Sequence, residues 1–232
     1  MSTAIIIASF FGGILPTVLW LEFWLRRSTH REPRHLLIGA FAFGMASVFI
    51  AGPLEKVVNL YILEYTAISL LVWALIEELV KLLGAYCIGL RTRFCDDAMD
   101  PAIYLVTTAL GFAAAENILF LFDAFADGDV SKGVTTTIFR SVGATVVHII
   151  SSGVVGVAIG WAFYKSKVAK RFALAIGLAV AIALHAAFNG FIINAGEQVL
   201  WVFVGVWVLL VVLILVLERM KASKRIIEQS QS

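Results

Sequence analysis

Seven apolar runs, near 4–25, 36–54, 65–90, 101–122, 138–164, 172–193 and 198–217, constrain this chain of 232 residues more than anything else in it. A helix rises ~1.5 Å per residue, so ~20 apolar residues carry it across the hydrocarbon core of a bilayer. Inside lipid every backbone N–H and C=O must find a partner within the protein, and each run is therefore read as a spanning helix. Composition agrees: 61% of residues are hydrophobic and 15% charged, with a mean hydropathy of +0.95, far above an ordinary soluble domain. The expectation is an all-α, polytopic transmembrane helix bundle of about seven spans, one domain over 1–232. The first run has neither a basic leader nor a small-residue cleavage site and reads as a span, not a signal peptide. The fifth, the longest, is either a tilted helix or one that starts outside the membrane at Thr135–Thr137.

Orientation follows from Lys and Arg. Arg26, Arg27, Arg31, Arg34, Arg91, Arg93, Lys165, Lys167, Lys170, Arg171, Arg219, Lys221, Lys224 and Arg225 fall in one set of alternate loops, and only Lys56 and Lys132 in the other. The positive-inside rule then places the N-terminus outside and the C-terminus in the cytoplasm, with the acidic loop around Asp123, Asp127 and Asp129 external. A net charge of +2 gives no reason to expect a nucleic-acid partner. Cys87 and Cys95 form neither a disulfide framework nor a metal motif. Glu22, Glu55 and Glu64 near span ends are read as solvated, and Trp20, Trp24, Trp161 and Trp201 as interfacial anchors.

Within the spans lie groups that lipid does not tolerate alone. Glu77, Glu78 and Lys81 interrupt the third run, Glu116 and Asn117 the fourth, Arg140 and His148 the fifth, and His185 and Asn189 the sixth. Each charge at mid-membrane costs about 2.5–3.5 kcal/mol on an insertion scale, so these groups must face one another. At ~1.5 Å per residue, Glu77, Glu116, His148 and His185 lie roughly 9–18 Å below the outer ends of their helices, at one level. Glu77 and Lys81 are spaced i,i+4, with Glu78 within i,i+3 reach of the same amine; His185 and Asn189 share a face. The alanines beside Glu116, and Gly153, Gly156 and Gly160 in the fifth run, permit close backbone approach.

Two hydrolytic chemistries fit this set. A carboxylate in a low-dielectric site can act as general base toward water while His and Asn donate to a tetrahedral oxyanion. Alternatively Glu116, His148 and His185 form a two-histidine, one-carboxylate Zn²⁺ site with Glu77 or Glu78 as base. A third reading, from a different class, is a proton- or metal-ion-coupled transporter using the same cluster. Against it, the carboxylates lie toward one face, and of Pro16, Pro33, Pro53 and Pro101 only the last touches spans three to six, at the start of the fourth.

The series Glu77-Glu-x-x-Lys81, Phe112-x-x-x-Glu116-Asn117, Arg140 followed by His148, and His185-x-x-x-Asn189 resembles the PrsW intramembrane proteases, relatives of the CAAX-prenyl endopeptidase and bacteriocin-processing superfamily. The wider superfamily usually has three residues between its second Glu and an Arg, where two separate Glu78 from Lys81, and a His where this chain has Glu116. The resemblance covers roughly 74–190 and implies a catalytic core over about 65–193. It implies an endopeptidase of a bacterial inner membrane that cuts single-pass membrane proteins near the outer face, an anti-sigma factor in some bacteria. By analogy Glu77 activates water, His185 and Asn189 hold the oxyanion, and Lys81, Asn117 and Arg140 support them; members have been classed as metallopeptidases and relatives as glutamate peptidases.

Overall fold

The structure, a computed structural model, describes residues 3–26, 32–126 and 129–230, with side chains through 222. Of the residues used above, Arg27, Arg31 and Asp127 lie outside that set, as do the side chains of Lys224 and Arg225. The regular structure of the described residues is all helical: α1 (Thr3–Leu25), α2 (Arg34–Asn59), α3 (Ala67–Ala85), α4 (Asp100–Ala126), α5 (Val130–Phe139), α6 (Thr145–Trp161), α7 (Lys167–Asn194) and α8 (Val199–Ser230). A π-helical turn, Tyr86–Leu90, extends α3, and another, Arg140–Ala144, joins α5 to α6 in one rod. Six segments are long and apolar enough to cross a membrane: α1, α2, α4, the α5–α6 rod, α7, and Gly196–Ala222 containing α8. The chain is an integral membrane protein. The remaining apolar run, α3, carries three charged residues in its middle, and all three are buried.

Local signals set the ends. Thr66 caps α3 by accepting from the Ser69 amide, Asp129 caps α5 through Lys132, and Ser166 caps α7 through Ala169. The helix of the fifth run begins before Thr135–Thr137, at Val130. Pro101 falls in the first turn of α4, where its missing N–H costs nothing. α4 is buried nearly all round, which fits its mixed apolar and small-residue sequence without a polar face. It packs against α1, α2, α3 and α6, and α6 in turn carries α7 and α8.

Glycine makes the central crossing possible. A Cβ on Gly111 would sit 2.0 Å from the Phe41 carbonyl oxygen, and one on Gly44 2.0 Å from that of Thr108, so α2 and α4 touch backbone to backbone. Neither obstacle is a side chain able to turn away. Gly111→Val is expected to force the two helices apart and lower stability by about 1–3 kcal/mol or more, read as an earlier thermal unfolding midpoint in detergent. An unchanged midpoint would show that the crossing is loose.

The aromatic anchors divide. Trp161 and Trp201 are exposed, but Trp24 is buried in the core beside Met99 and Leu217, and Trp20 is half-buried with its indole N–H donating to the Ser141 carbonyl at 3.3 Å. The α1 face bearing Trp20 and Trp24 turns inward onto α4 and α8, which the hydropathy pattern alone does not reveal. Cys87 and Cys95 are free thiols.

Candidate active site

α3, α4, α6 and α7 bring their polar residues to one place. Lys81 is completely buried, its ammonium 2.7 Å from Glu78 Oε1, 3.4 Å from Glu77 Oε2 and 2.9 Å from His148 Nδ1, with the Phe112 ring 4.7 Å away. An ammonium only donates, so His148 Nδ1 accepts and its Nε2–H points to Glu116 Oε2 at 3.0 Å. His185 Nδ1 is 2.9 Å from Glu78 Oε1; a carboxylate only accepts, so Nδ1 carries the hydrogen and Nε2 keeps its lone pair. That nitrogen lies 3.7 Å from Glu77 Oε2, and His148 Nδ1 lies 3.8 Å from the same oxygen. The two imidazoles meet edge to face with centroids 4.9 Å apart.

The paired carboxylates of α3 differ sharply in surroundings. Glu78 accepts four hydrogen bonds, from Lys81, His185, Ser151 Oγ at 2.9 Å and Ser152 Oγ at 3.0 Å. Glu77 is held loosely, by Lys81 alone at hydrogen-bond distance, and only through Oε2; among the described residues Oε1 has no hydrogen-bond partner. Glu77 lines a cavity of about 620 Å³ together with Glu116, Arg140, His148, His185 and Asn189. Glu78 does not line that cavity, and its Oε1 accepts from His185 Nδ1.

On the far side of His148, Arg140 donates to Glu116 Oε2 at 2.5 Å and to Asn117 Oδ1 at 2.6 Å, and Asn117 donates to Thr145 Oγ1 at 3.0 Å. The π-turn makes this possible. Residues eight apart stand about 80° from each other on a regular α-helix; one inserted residue removes about 100°, leaving Arg140 and His148 some 20° apart, on one face. Both therefore reach Glu116, Arg140 to fix the carboxylate and His148 to be fixed by it.

A metal ion is implied by the two-histidine, one-carboxylate chemistry, and the donors can be tested against it. Glu77, His148 and His185 each offer an atom within 4.8 Å of the other two, and all three residues are buried. Ligands held tetrahedrally at ~2.0–2.1 Å are roughly 3.4 Å apart, close to the 3.7 and 3.8 Å found here. Each histidine also gives its other nitrogen to a carboxylate, Glu78 or Glu116, the outer arrangement that orients ligating imidazoles. The donors fit Zn²⁺, provided Lys81 moves off His148 Nδ1 toward Glu78. The grouping differs from the one expected from sequence: Glu77 stands where Glu116 was placed, because Arg140 occupies Glu116.

Several site residues escaped sequence reasoning. Ser151 and Ser152 follow His148 at i+3 and i+4, a spacing that put them on its face. Glu55 was read as solvated, yet it is half-buried and lines the cavity with Tyr65 and Trp73. Asn189 lines the cavity one turn beyond His185 as expected. Replacing both serines by alanine removes two of the four bonds to Glu78, each worth about 1.5–3 kcal/mol for a charged acceptor. The expected outcome is a less stable protein whose kcat falls more than its KM changes; unaltered kcat and stability would mean that Lys81 and His185 suffice.

Carboxylates and imidazoles converge on a cavity inside an apolar helix bundle, and comparison with known proteins shows that the bundle is that of a membrane protease. The model of the PrsW family, described as PrsW family intramembrane metalloprotease, matches residues 32–217, and the chain belongs to that family. Its similar proteins include Protease PrsW of Geobacillus kaustophilus, 28% identical over 181 residues, covering 77% of this chain and 76% of the relative. Protease PrsW of Clostridioides difficile is 27% identical over 188 residues, 78% and 77% of the two chains. Protease PrsW of Bacillus subtilis is 26% identical over 200 residues, 83% and 84% of the two chains. No solved structure matches the chain.

Proposed function

We propose that this protein is an intramembrane endopeptidase that hydrolyses a peptide bond of single-pass membrane proteins near the outer face of a bacterial inner membrane, a regulator of the anti-sigma type being the favoured substrate class. The observation that carries the reading is the convergence of Glu77 Oε2, His148 Nδ1 and His185 Nε2 on one point at the cavity wall. In this reading α3 also crosses the bilayer, giving seven spans with the N-terminus outside and the C-terminus cytoplasmic, and the chain is one domain. The basic loops support that orientation, and family membership favours hydrolysis over transport.

Glu77, His148 and His185 would hold the ion, which when bound would supply Lewis-acid polarisation and lower the pKa of water. Glu77 Oε1, without a hydrogen-bond partner among the described residues, takes a proton from the attacking water and returns it to the leaving amine. Asn189, on the cavity wall, donates to the oxyanion. Glu78 and Glu116 keep the imidazoles in the tautomers that leave the inward nitrogens unprotonated, and Lys81 and Arg140 neutralise those carboxylates. The burial of the cluster excludes bulk water from all but the cavity side.

A second reading has its own observation. Lys81 on His148 Nδ1 supplies a cation at the place a metal would use, which suits a metal-free site with Glu77 as base and the histidines as donors. The protease reading itself is tested in proteoliposomes, with a single-pass protein tagged at both ends: wild type releases the outer tag and Glu77→Gln does not. Retention of both tags by the wild type across a panel of such substrates would overturn it.

A further inference from the structure

Besides the catalytic cavity, two apolar cavities of about 550 Å³ each lie on the lipid side of α6, between α7 and α8. They share Ile150, Leu184 and Leu209 and so form one continuous groove. On α7 the groove runs from Ala169 to Phe191, which at ~1.5 Å per residue is roughly 33 Å, the thickness of a hydrocarbon core. Its upper half is bounded by Val147 and Phe188, and these same two residues line the catalytic cavity. Both are buried, and Phe188 lies one turn from His185. Only a wall of two side chains therefore separates a span-length apolar groove from the reacting groups.

We infer that this groove holds the transmembrane helix of the substrate, and that Phe188 and Val147 form the gate through which its outer end reaches Glu77 and the histidines. The inference rests on the protease reading and supplies its route of access. Length matched to a single span and continuity with the catalytic cavity point to a helix as the occupant. Between the larger side chains of α7 and α8 the lining has one small residue from each helix, Ala187 and Gly205, where a guest backbone can come close. A Cβ on Gly205 meets no atom within 4 Å, so the groove has unfilled depth there and can be plugged without disturbing the bundle.

The test places a photo-crosslinking amino acid at Leu209, at Leu184, or at Phe49 on the outer face of α2, in the Glu77→Gln protein reconstituted in liposomes. The probe is a synthetic single-span peptide of about 20 leucines and alanines flanked by lysines. Crosslinking to the peptide at Leu209 and Leu184 is expected to exceed that at Phe49 by about tenfold and to fall to the Phe49 level when Gly205→Trp is added. Equal crosslinking at all three positions, or lipid adducts alone in the groove, would overturn the inference. Because the probe needs no turnover, the two readings fail separately. A groove that binds in a protein that cleaves nothing leaves helix docking without proteolysis. Glu77-dependent cleavage without groove crosslinking leaves proteolysis with another route of access.

Discussion

Glu77→Gln is expected to reduce hydrolysis of a membrane-anchored substrate by roughly 10²–10⁴-fold, the range for loss of a positioned acid–base group, while the protein inserts and folds normally. Glutamine has the shape of glutamate but neither its charge nor its basicity, so the change removes a ligand and a proton acceptor at once. Folding is spared because among the described residues Glu77 has one hydrogen bond, at 3.4 Å. Glu78→Gln is expected to behave oppositely: four bonds converge on that carboxylate, and its loss costs stability first and activity as a consequence. Measuring rate and thermal midpoint for both variants separates the roles. A Glu77→Gln protein with normal turnover would remove the catalytic assignment, and Glu78 would be the group to test next.

Lys81→Met is the second large effect. The amine is wholly buried and is the cation shared by Glu77 and Glu78, so its removal leaves two neighbouring carboxylates uncompensated in a medium of low dielectric. Breaking a buried pair in this way costs about 3–5 kcal/mol, enough to abolish accumulation of many membrane proteins. Methionine replaces most of the apolar stem of the side chain, so the loss reports chiefly charge, hydrogen bonding and the ammonium's contact with the Phe112 ring. Adding Glu78→Gln to Lys81→Met removes one of the two orphaned charges and is expected to restore part of the stability, the coupling a double-mutant cycle measures. Lys81→Met as stable as wild type would show that Glu77 and Glu78 find their compensation elsewhere.

Hydropathy made the long helices legible, because spanning helices are specified by length and apolarity. The polar residues within them were legible for the same reason: lipid makes each one conspicuous, and Glu77, Glu116, His148 and His185 do meet. What the sequence hid depends on helix phase. The π-turn at Arg140–Ala144 leaves no hydropathy signature, yet it decides that Arg140 and His148 share Glu116, and so which carboxylate remains for the histidines. Ser151 and Ser152 were overlooked because serines in a membrane helix ordinarily bond their own backbone. Glu55 was misread because its distance from a span end says nothing about which way α2 faces. Trp24 was misread likewise, since an indole near a span end serves lipid or core equally well until its neighbours are known.

The most direct test is the zinc content of the purified protein, prepared without chelators, for wild type, His148→Ala, His185→Ala and the control Ser152→Ala. With Glu77, His148 and His185 as ligands, the expected result is close to one zinc per wild-type chain, retained in the control and lost in both histidine variants. A metal-free wild type that still cleaves its substrate in the presence of a chelator would contradict this, and would leave Glu77 acting on water directly.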